Sequence, residues 1–259
     1  MSSLRSRFRL AARYLEGLAH LGEDDVLLAC FPKSGSTWVR FVLANLLSLR
    51  FWDGAPLDFA TLDRTLPELG VNRLGAPWPY GALLPRVVKT HKPAWPVLAG
   101  PQAVLLVRDP ADVVVSFYHH DRGQGGIRGR GATLSEFLRH PRYGLPGWTR
   151  HARSWMERGA PVVRYEDLHA DPEGAFRRLL DLIAAAVPDD LLRTALDRST
   201  VEATRRAEER SGLAPEKGFA PDFRFVRSAS VGEGRAALSP ADRAWMARYL
   251  RSHGVDLYD

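Results

Sequence analysis

The amino-acid sequence predicts an α/β fold with a mostly parallel central sheet flanked by helices. Short apolar runs of strand length alternate with amphipathic helical patterns, and this alternation favours parallel strands covered on both faces. The 259 residues fit one α/β domain of ordinary size, and the chain shows neither an internal repeat nor a linker. We therefore expect a single domain over residues 1–259, with its core at about 25–235.

The individual elements follow from local patterns. Apolar runs predict buried strands at Val26–Phe31, Val87–Val88, Ala103–Val107 and Val162–Val163. Helical spacing of apolar residues predicts helices at Thr37–Leu49, Ala111–His119, Leu134–Arg139 and Gly174–Ala186. A last helix is expected at about 239–252, because Ser239 suits an N-cap and Pro240 the first helical position.

Three segments lack such periodicity. The stretch Trp52–Pro85 is rich in Pro, Gly and Asp, and we expect an irregular excursion there. The segment Ser211–Ala236 has the character of a functional lid or a disordered region. The loop Gly123–Gly131 carries five glycines and two arginines, so it either gates a pocket or is disordered.

Composition narrows the classes of protein. With 45% hydrophobic and 25% charged residues, the chain has the composition of soluble globular proteins. No apolar run approaches the ~18–20 residues that span a bilayer. The basic N-terminus lacks the apolar core of a signal peptide, so we expect a cytoplasmic protein. The single cysteine, Cys30, excludes an internal disulfide and is typical of a small core residue.

The net charge of +6 favours an anionic partner. Arginines are spread along the whole chain without a run of five or more basic residues, so a nucleic-acid-binding tail is not indicated. A small anion with several charges fits this balance. A generally basic solvated surface explains it equally well.

The segment Phe31–Trp38 is the most informative part of the chain. It lies between a predicted strand and a predicted helix, where small residues let the backbone approach a ligand and helix N–H groups point toward it. A lysine adds positive charge and hydroxyl groups add donors, which predicts an anion-binding loop of Lys33, Ser34, Gly35, Ser36 and Thr37. The segment is not a Walker A loop, because there the lysine follows a second glycine, whereas here Lys33 precedes the only glycine of the loop.

A second polar group follows the strand at Ala103–Val107. Arg108 lies where ligands of open α/β sheets bind, beyond the carboxyl end of a strand, and its planar fork suits a phosphate. Asp109 suits an N-cap, and Ser116 lies about two turns into the next helix. Taken alone, this pattern is explained better by an arginine that pairs with a neighbouring carboxylate.

A third group, Lys89-Thr90-His91-Lys92-Pro93, follows the strand at Val87–Val88. With it, the chain resembles the sulfotransferases that use 3′-phosphoadenosine 5′-phosphosulfate (PAPS). The first loop resembles their 5′-phosphosulfate loop, P-K-S-G-[ST]-T-W. Arg108 to Ser116 resembles their 3′-phosphate segment, R-[DN]-P-x-D-x-x-x-S, and the third group resembles their catalytic-base segment, K-T-H-x-P. Three motifs in the expected order make the resemblance specific.

The resemblance implies a P-loop-like fold and a reaction without a metal. A sulfuryl group would pass from PAPS to a hydroxyl group of a small-molecule acceptor by in-line displacement. His91 would deprotonate that hydroxyl, while Lys33 and Lys89 would stabilise the transferring group. The ordinary histidine pKa of about 6.5 would leave His91 largely neutral near pH 7.

The resemblance also implies contacts with the adenine. Trp38 would stack on the base, although helical periodicity explains it nearly as well as a core aromatic. Tyr165 would lie near the base, within a segment similar to the family's Y-E-D-L, whose carboxylates we expect to cap or pair locally. Ser199 belongs to a matching adenine segment, in which Val201 replaces the usual Phe and puts stacking there in doubt.

The 3′-phosphate would be bound by Arg108, Ser116 and Arg227. The last of these belongs to a segment that departs from the family pattern R-K-G-x-x-G-D-W. Ser228 replaces the lysine and Gly234 the tryptophan, which weakens the case for a tight lid over the nucleotide.

Two other classes of function stay open from the residues alone. In a nucleotide-dependent kinase, Asp109 could imitate a carboxylate that holds Mg²⁺, but the Walker A order is absent. A non-catalytic binder of nucleotides or nucleic acid would use the basic surface, but it would not need both Lys89 and His91. A metal site at His119 and His120 is not indicated, since neighbouring positions lie on different sides of a helix.

The acceptor itself is not predictable from the sequence, and neither is the oligomeric state. The pocket for the acceptor would be formed by the irregular stretches Trp52–Pro85, His119–Thr133 and Arg142–Trp155. Their aromatic content favours an apolar or aromatic acceptor, although aromatic residues pack cores equally well.

Overall fold

A computed structural model describes residues 2–126, 131–211 and 230–258, with side chains described from residue 11 onward except at residue 211. Arg227, most of the segment 211–236 and part of the loop 123–131 therefore lie outside the described residues.

The centre of the fold is a parallel sheet. Its described strands are β1 Val26–Cys30, β2 Val87–Thr90, β3 Gln102–Val107 and β4 Val162–Arg164, in the spatial order β2-β1-β3-β4. Strand β1 pairs Val26 with Val87 on one side and with Gln102 on the other, and β3 pairs Leu105 with Val162 of β4. Because all four run in the same direction, their carboxyl ends meet at one edge.

Helices precede, connect and follow these strands. They are α1 Ser2–Ala19, α2 Ser36–Phe51, α3 Phe59–Thr65, α4 Pro110–Gly123, α5 Leu134–Leu138, α6 Leu145–Glu157, α7 Tyr165–Ala170, α8 Pro172–Leu182, α9 Asp189–Asp197, α10 Val201–Ser211, α11 Glu233–Ala237 and α12 Pro240–Ser252. None of the helices in the described ranges is both long and apolar enough to cross a membrane.

The sheet separates two apolar layers. Successive strand residues point to opposite faces, so Leu28 and Cys30 pack with α2, α3, α8 and α9, whereas Leu27 and Ala29 pack with α4, α6 and α12. All four side chains are at most 2% exposed. The predicted fold class, a parallel sheet flanked by helices, is confirmed.

The terminal helix begins as the sequence indicates. Ser239 is its N-cap, since the Ser239 hydroxyl accepts a hydrogen bond from the backbone N–H of Asp242 at 3.1 Å, and Pro240 takes the first helical position. By contrast, α8 ends at Leu182 rather than at Ala186. The backbone turns at Ala184, where φ is +53°, and this left-handed conformation cannot continue a helix.

Two stretches that the sequence marks as irregular contain helices. Within Trp52–Pro85, Asp58 caps α3 by accepting a hydrogen bond from the N–H of Thr61 at 2.6 Å. At 7 residues, α3 is too short to show clear periodicity. Within Arg142–Trp155, α6 buries Trp148 and Trp155, two turns apart, on one face. The expectation of irregular structure was wrong at these two helices, whereas most of Trp52–Pro85 outside α3 is irregular.

Candidate active site

The loop between β1 and α2 is shaped by left-handed backbone. Lys33 has φ +74° and Gly35 has φ +95°, which turns the chain sharply before α2 begins at Ser36. A Cβ atom at Gly35 would lie 2.3 Å from Cδ2 of the Tyr165 ring. Glycine is therefore required at this position both by its φ angle and by the approach of the ring.

Positive charges converge beside this loop. Burial, together with the positive charge of Arg108 and Lys89, lowers the pKa of the Lys33 ammonium group to about 8. Such a cluster of cations opposes its own ionisation and is stabilised by any anion that enters it. The arrangement therefore fits a ligand with several negative charges.

Lys89 lies at the end of β2 and has an acidic partner that the sequence analysis did not identify. Its Nζ lies 2.6 Å from Oε2 of Glu68. Burial tends to raise the pKa of the Glu68 carboxyl, but the positive charge of Lys89 and its neighbours outweighs burial, and the pKa is lowered overall. The Glu68 carboxylate thus stays ionised beside Lys89 at the wall of the site.

His91 is oriented by the neighbouring strand. Its Nδ1 lies 2.7 Å from the carbonyl oxygen of Cys30, so Nδ1 carries the proton and donates it to that oxygen. Nε2 then keeps its lone pair, as a general base requires. Burial and the positive charge of Lys89 lower the pKa of His91 to about 4, so the ring is neutral near pH 7.

Arg108 lies at the end of β3, above the ring of Tyr165 at 4.6 Å from its centroid. Its Nη2 donates to the carbonyl oxygen of Ser230 at 2.7 Å and lies 3.3 Å from Oδ2 of Asp112. Its Nε is buried and has no hydrogen-bond partner among the described residues. This leaves a donor suited to an anionic oxygen.

Asp112 fastens the chain around α11 onto α4. Its carboxylate accepts hydrogen bonds from the N–H groups of Gly232 at 2.9 Å and Gly234 at 2.6 Å. A Cβ atom at Gly234 would lie 2.3 Å from the backbone carbon of Ala111. Gly234, which stands where the resembling family has tryptophan, is thus the residue that lets the two backbones touch.

Glu166 does not cap or pair locally, and that expectation was wrong. Its Oε1 accepts from the backbone N–H of Asp109 at 2.8 Å, and its Oε2 accepts from the hydroxyl of Tyr258 at 2.8 Å. Arg235 donates to Asp109 at 2.7 Å and to the carbonyl of Tyr258 at 3.0 Å. Segments far apart in the chain therefore hold the turn that presents Arg108.

A cleft of about 1740 Å³ lies beside the β1–α2 loop and the ends of the strands. The predicted site residues that line it are Lys33, Gly35, Ser36, Thr37, Trp38, Lys89, His91, Arg108, Ser116, Tyr165 and Ser199. Ser34 of the same loop is fully buried, and its hydroxyl has no hydrogen-bond partner within the described ranges. Arg227 lies outside the described residues, so its predicted role stays a prediction.

The predicted adenine residues Trp38, Tyr165 and Ser199 all line the cleft. Trp38 packs edge-to-face on Tyr165 and on Phe176, with ring centroids 5.8 and 5.3 Å apart, so it joins the core and lines the cleft at once. The Ser199 hydroxyl donates to the carbonyl of Ala195 at 2.7 Å and accepts from Asn45 at 2.9 Å. The Ser199 hydroxyl thus already donates its proton to a hydrogen bond within the protein.

The comparisons with known proteins agree with this geometry. A family profile described as "Sulfotransferase domain" matches residues 23–253. The chain belongs to this family. Sulfotransferase 1A1 of Bos taurus is 27% identical over 201 residues, which cover 71% of this chain and 66% of the bovine protein. The alignment therefore spans slightly less than two thirds of that relative.

Solved structures of other proteins have the same fold as this chain. Retinol dehydratase in complex with androsterone and the inactive cofactor PAP has a TM-score of 0.71 at 18% identity, covering 96% of this chain and 87% of that chain. A mouse sulfotransferase complexed with PAP has a TM-score of 0.64 at 17% identity, covering 91% and 86% respectively. At these identities, the likeness concerns the fold alone.

Two residues at the cleft were not anticipated from the sequence. Nothing in the segment around Glu68 marks it as the partner of Lys89, because the two meet only through tertiary structure. His151 was within reach of sequence reasoning, since it lies three residues after Trp148 and four before Trp155, on the buried face of α6. It is 2% exposed, and its ring packs edge-to-face on Phe31 at 6.0 Å.

His119 and His120 of α4 differ in their surroundings. His119 is exposed on α4, whereas His120 lines the cleft. Among the described residues, no group of three or more His, Cys, Asp or Glu side chains could hold a metal ion.

We expect the stability of the protein to fall below pH 6.5 in a way that depends on His151. Burial and the nearby His91 lower the pKa of His151 to about 3. The unfolded chain therefore binds more protons than the folded one between that value and 6.5, and stability declines as the pH drops through this window. The loss attributable to His151 between pH 7 and pH 5 is about 2 kcal/mol.

Urea unfolding of the native protein and of His151→Phe at both pH values measures this loss. Other groups titrate in both proteins, so the difference between their pH dependences isolates His151. Parallel dependences would show that His151 is protonated equally well in the folded and unfolded states.

Proposed function

We propose that this protein transfers a sulfuryl group from PAPS to a hydroxyl group of a small apolar or aromatic acceptor. The observation that carries the proposal is the meeting of Lys33, Lys89, His91 and Arg108 on one cleft, each placed at or just beyond the carboxyl end of a parallel strand. Membership of the sulfotransferase family and the PAP complexes of structural neighbours support it.

The nucleotide would lie along the β1–α2 loop. Loop N–H groups and Lys33 would receive the 5′-phosphosulfate, Arg108 and Ser116 the 3′-phosphate, and Trp38 and Tyr165 the adenine. The orphaned Nε of Arg108 and the mutual repulsion of the basic groups fit such an anion.

PAPS supplies an activated sulfuryl group, and the protein supplies charge and a base. His91 would take the acceptor's hydroxyl proton on Nε2 while the acceptor oxygen bonds to sulfur. The bond between sulfur and the phosphate oxygen breaks, and 3′-phosphoadenosine 5′-phosphate (PAP) leaves. Lys33 and Lys89 would stabilise the negative charge that develops on that phosphate oxygen. An anion beside Lys89 also raises the pKa of His91 above its value of about 4, which strengthens the base.

The acceptor would enter from the side of α6. Apolar and aromatic side chains form part of the cleft lining, namely Phe31, Val71, Trp95, Phe117 and Tyr143. Their character favours an acceptor with an apolar body and one reacting hydroxyl. Of the stretches expected to form the pocket, the segment around α6 contributes most of the described lining residues.

We expect turnover to be independent of metal ions. Lys33, Lys89, Arg108 and the loop N–H groups already supply the positive potential that a divalent ion supplies in kinases. The test is a screen of hydroxyl acceptors with labelled PAPS, with and without EDTA, and in parallel with ATP and Mg²⁺.

The proposal predicts labelled sulfate esters from PAPS at the same rate in EDTA, and no phosphoryl transfer from ATP. Loss of activity in EDTA that Mg²⁺ restores, or transfer from ATP alone, would support a kinase-like phosphotransferase instead. Salt-dependent binding of DNA without any transfer would support a non-catalytic binder.

A further inference from the structure

Glu68 is held in place by backbone contacts as well as by its ion pair. The N–H of Leu69 donates to the carbonyl of Lys89 at 2.8 Å, and the N–H of Lys89 donates to the carbonyl of Pro67 at 2.9 Å. This short bridge extends the sheet edge beside β2 and places Glu68 next to Lys89. The side-chain amide oxygen of Asn72 also accepts a hydrogen bond from the N–H of Glu68 at 2.8 Å.

A buried arginine secures the chain just before this bridge. Arg40 of α2 is 4% exposed, and its guanidinium donates to the carbonyl of Leu66 at 2.8 Å and to the carboxylate of Asp63 at 2.9 Å. The position of Glu68 is therefore defined from α2, from β2 and from its own turn. Such support exceeds what a surface ion pair receives.

The Glu68 side chain lines the same cleft as Lys89 and His91. Its carboxylate contacts the Lys89 ammonium group at 2.6 Å. The groups that influence the pKa of His91 are Lys89 and Arg40, which lower it, and Glu68 together with the Cys30 carbonyl, which raise it. His151 faces His91 from α6. Glu68 is the anionic side chain in this set.

We propose that Glu68 is a positioning residue for the transfer reaction, which anchors the ammonium group of Lys89 in the cleft and keeps His91 basic enough to accept a proton. This inference rests on the proposed function. Its carboxylate opposes the binding of an anionic nucleotide, because it cancels part of the positive charge that Lys89 contributes to the cleft. The Glu68 carboxylate thus weakens nucleotide binding and makes His91 a stronger base.

The test compares Glu68→Gln, Glu68→Asp and native protein, with Glu157→Gln as a matched control. Glutamine keeps the shape and can still accept from Lys89, but it removes the charge. Aspartate keeps the charge and shortens its reach. Glu157 forms an exposed ion pair with Arg153 on α6, so its amide variant changes net charge equally without touching Lys89.

We expect Glu68→Gln to bind PAP about three- to tenfold more tightly at low salt, a gain that shrinks as salt is added. Its kcat should be about three- to thirtyfold lower, and the acidic limb of its pH–rate profile should move to lower pH. Glu68→Asp should keep the native position of that limb while losing part of kcat. Glu157→Gln should match the native protein in each measurement.

Weaker PAP binding by Glu68→Gln, or an acidic limb that does not move, would overturn the inference and leave Glu68 with a structural role only. The PAP measurement needs no turnover, so it separates two kinds of failure. If native protein neither binds PAP nor uses PAPS, the proposed function fails. If native protein does both and Glu68→Gln behaves like it, only the role of Glu68 fails.

Discussion

Replacing His91 with alanine is expected to lower kcat by about 10²–10⁴-fold, the usual contribution of a positioned general base. The hydrogen bond from Nδ1 to the Cys30 carbonyl leaves Nε2 as the basic nitrogen, and alanine removes it. Affinity for PAP should stay close to native, because His91 is neutral in the free protein and carries no charge for the nucleotide to contact. Steady-state kinetics and calorimetry measure the two quantities separately.

A matched control for this variant is His253→Ala. His253 follows α12, stacks on Tyr249 at 4.0 Å and does not line the cleft, so its loss should leave kcat unchanged. Native turnover by His91→Ala, at a pH where the acceptor hydroxyl is not ionised, would remove His91 from the reaction.

Replacing Arg108 with alanine is expected to weaken binding of PAP by about tenfold to over a hundredfold, as loss of a hydrogen bond to a charged group does. Its effect on adenosine 5′-monophosphate should be far smaller, because that nucleotide lacks the 3′-phosphate. The orphaned Nε and the fixed position above Tyr165 both support a contact with that phosphate. Calorimetry with the two nucleotides distinguishes this contact from general charge attraction.

Arg139→Ala provides the control, since Arg139 pairs with Asp242 at 2.6 Å and does not line the cleft. It removes one positive charge and should change the two affinities little and alike. Equal losses of both nucleotides in Arg108→Ala would place the 3′-phosphate elsewhere and give Arg108 a structural role through Ser230 and Asp112.

Much of the site is predictable from the sequence because its charged residues come shortly after apolar runs that form strands. Lys33, Lys89 and Arg108 each come shortly after a predicted strand, and parallel strands bring their carboxyl ends to one edge. The motifs around these residues resemble those of a single family, and that resemblance assigns all three to one ligand. The predicted single domain, cytoplasmic location and roles of individual site residues stay predictions.

The remaining features depend on contacts that no local pattern encodes. Glu68 meets Lys89 through an edge bridge, and Glu166 meets Tyr258 across 92 positions of the chain. Short helices such as α3 and α11 lack enough residues for a hydrophobic period to show. From the sequence, Gly234 was recognisable only as a departure from the family motif. The structure shows why glycine stands there, since a Cβ atom would collide with the backbone of Ala111.

The cluster of Lys33, Lys89 and Arg108 determines which buffers suit measurements of nucleotide binding. Sulfate and phosphate are tetrahedral oxyanions like the groups of the nucleotide, so buffers that contain them will compete for the same donors. We expect affinities for PAP to be underestimated in phosphate buffer. We also expect sulfate from ammonium sulfate precipitation to bind at the β1–α2 loop. Dialysis into a zwitterionic buffer at low chloride is the condition in which the affinities of the variants can be compared.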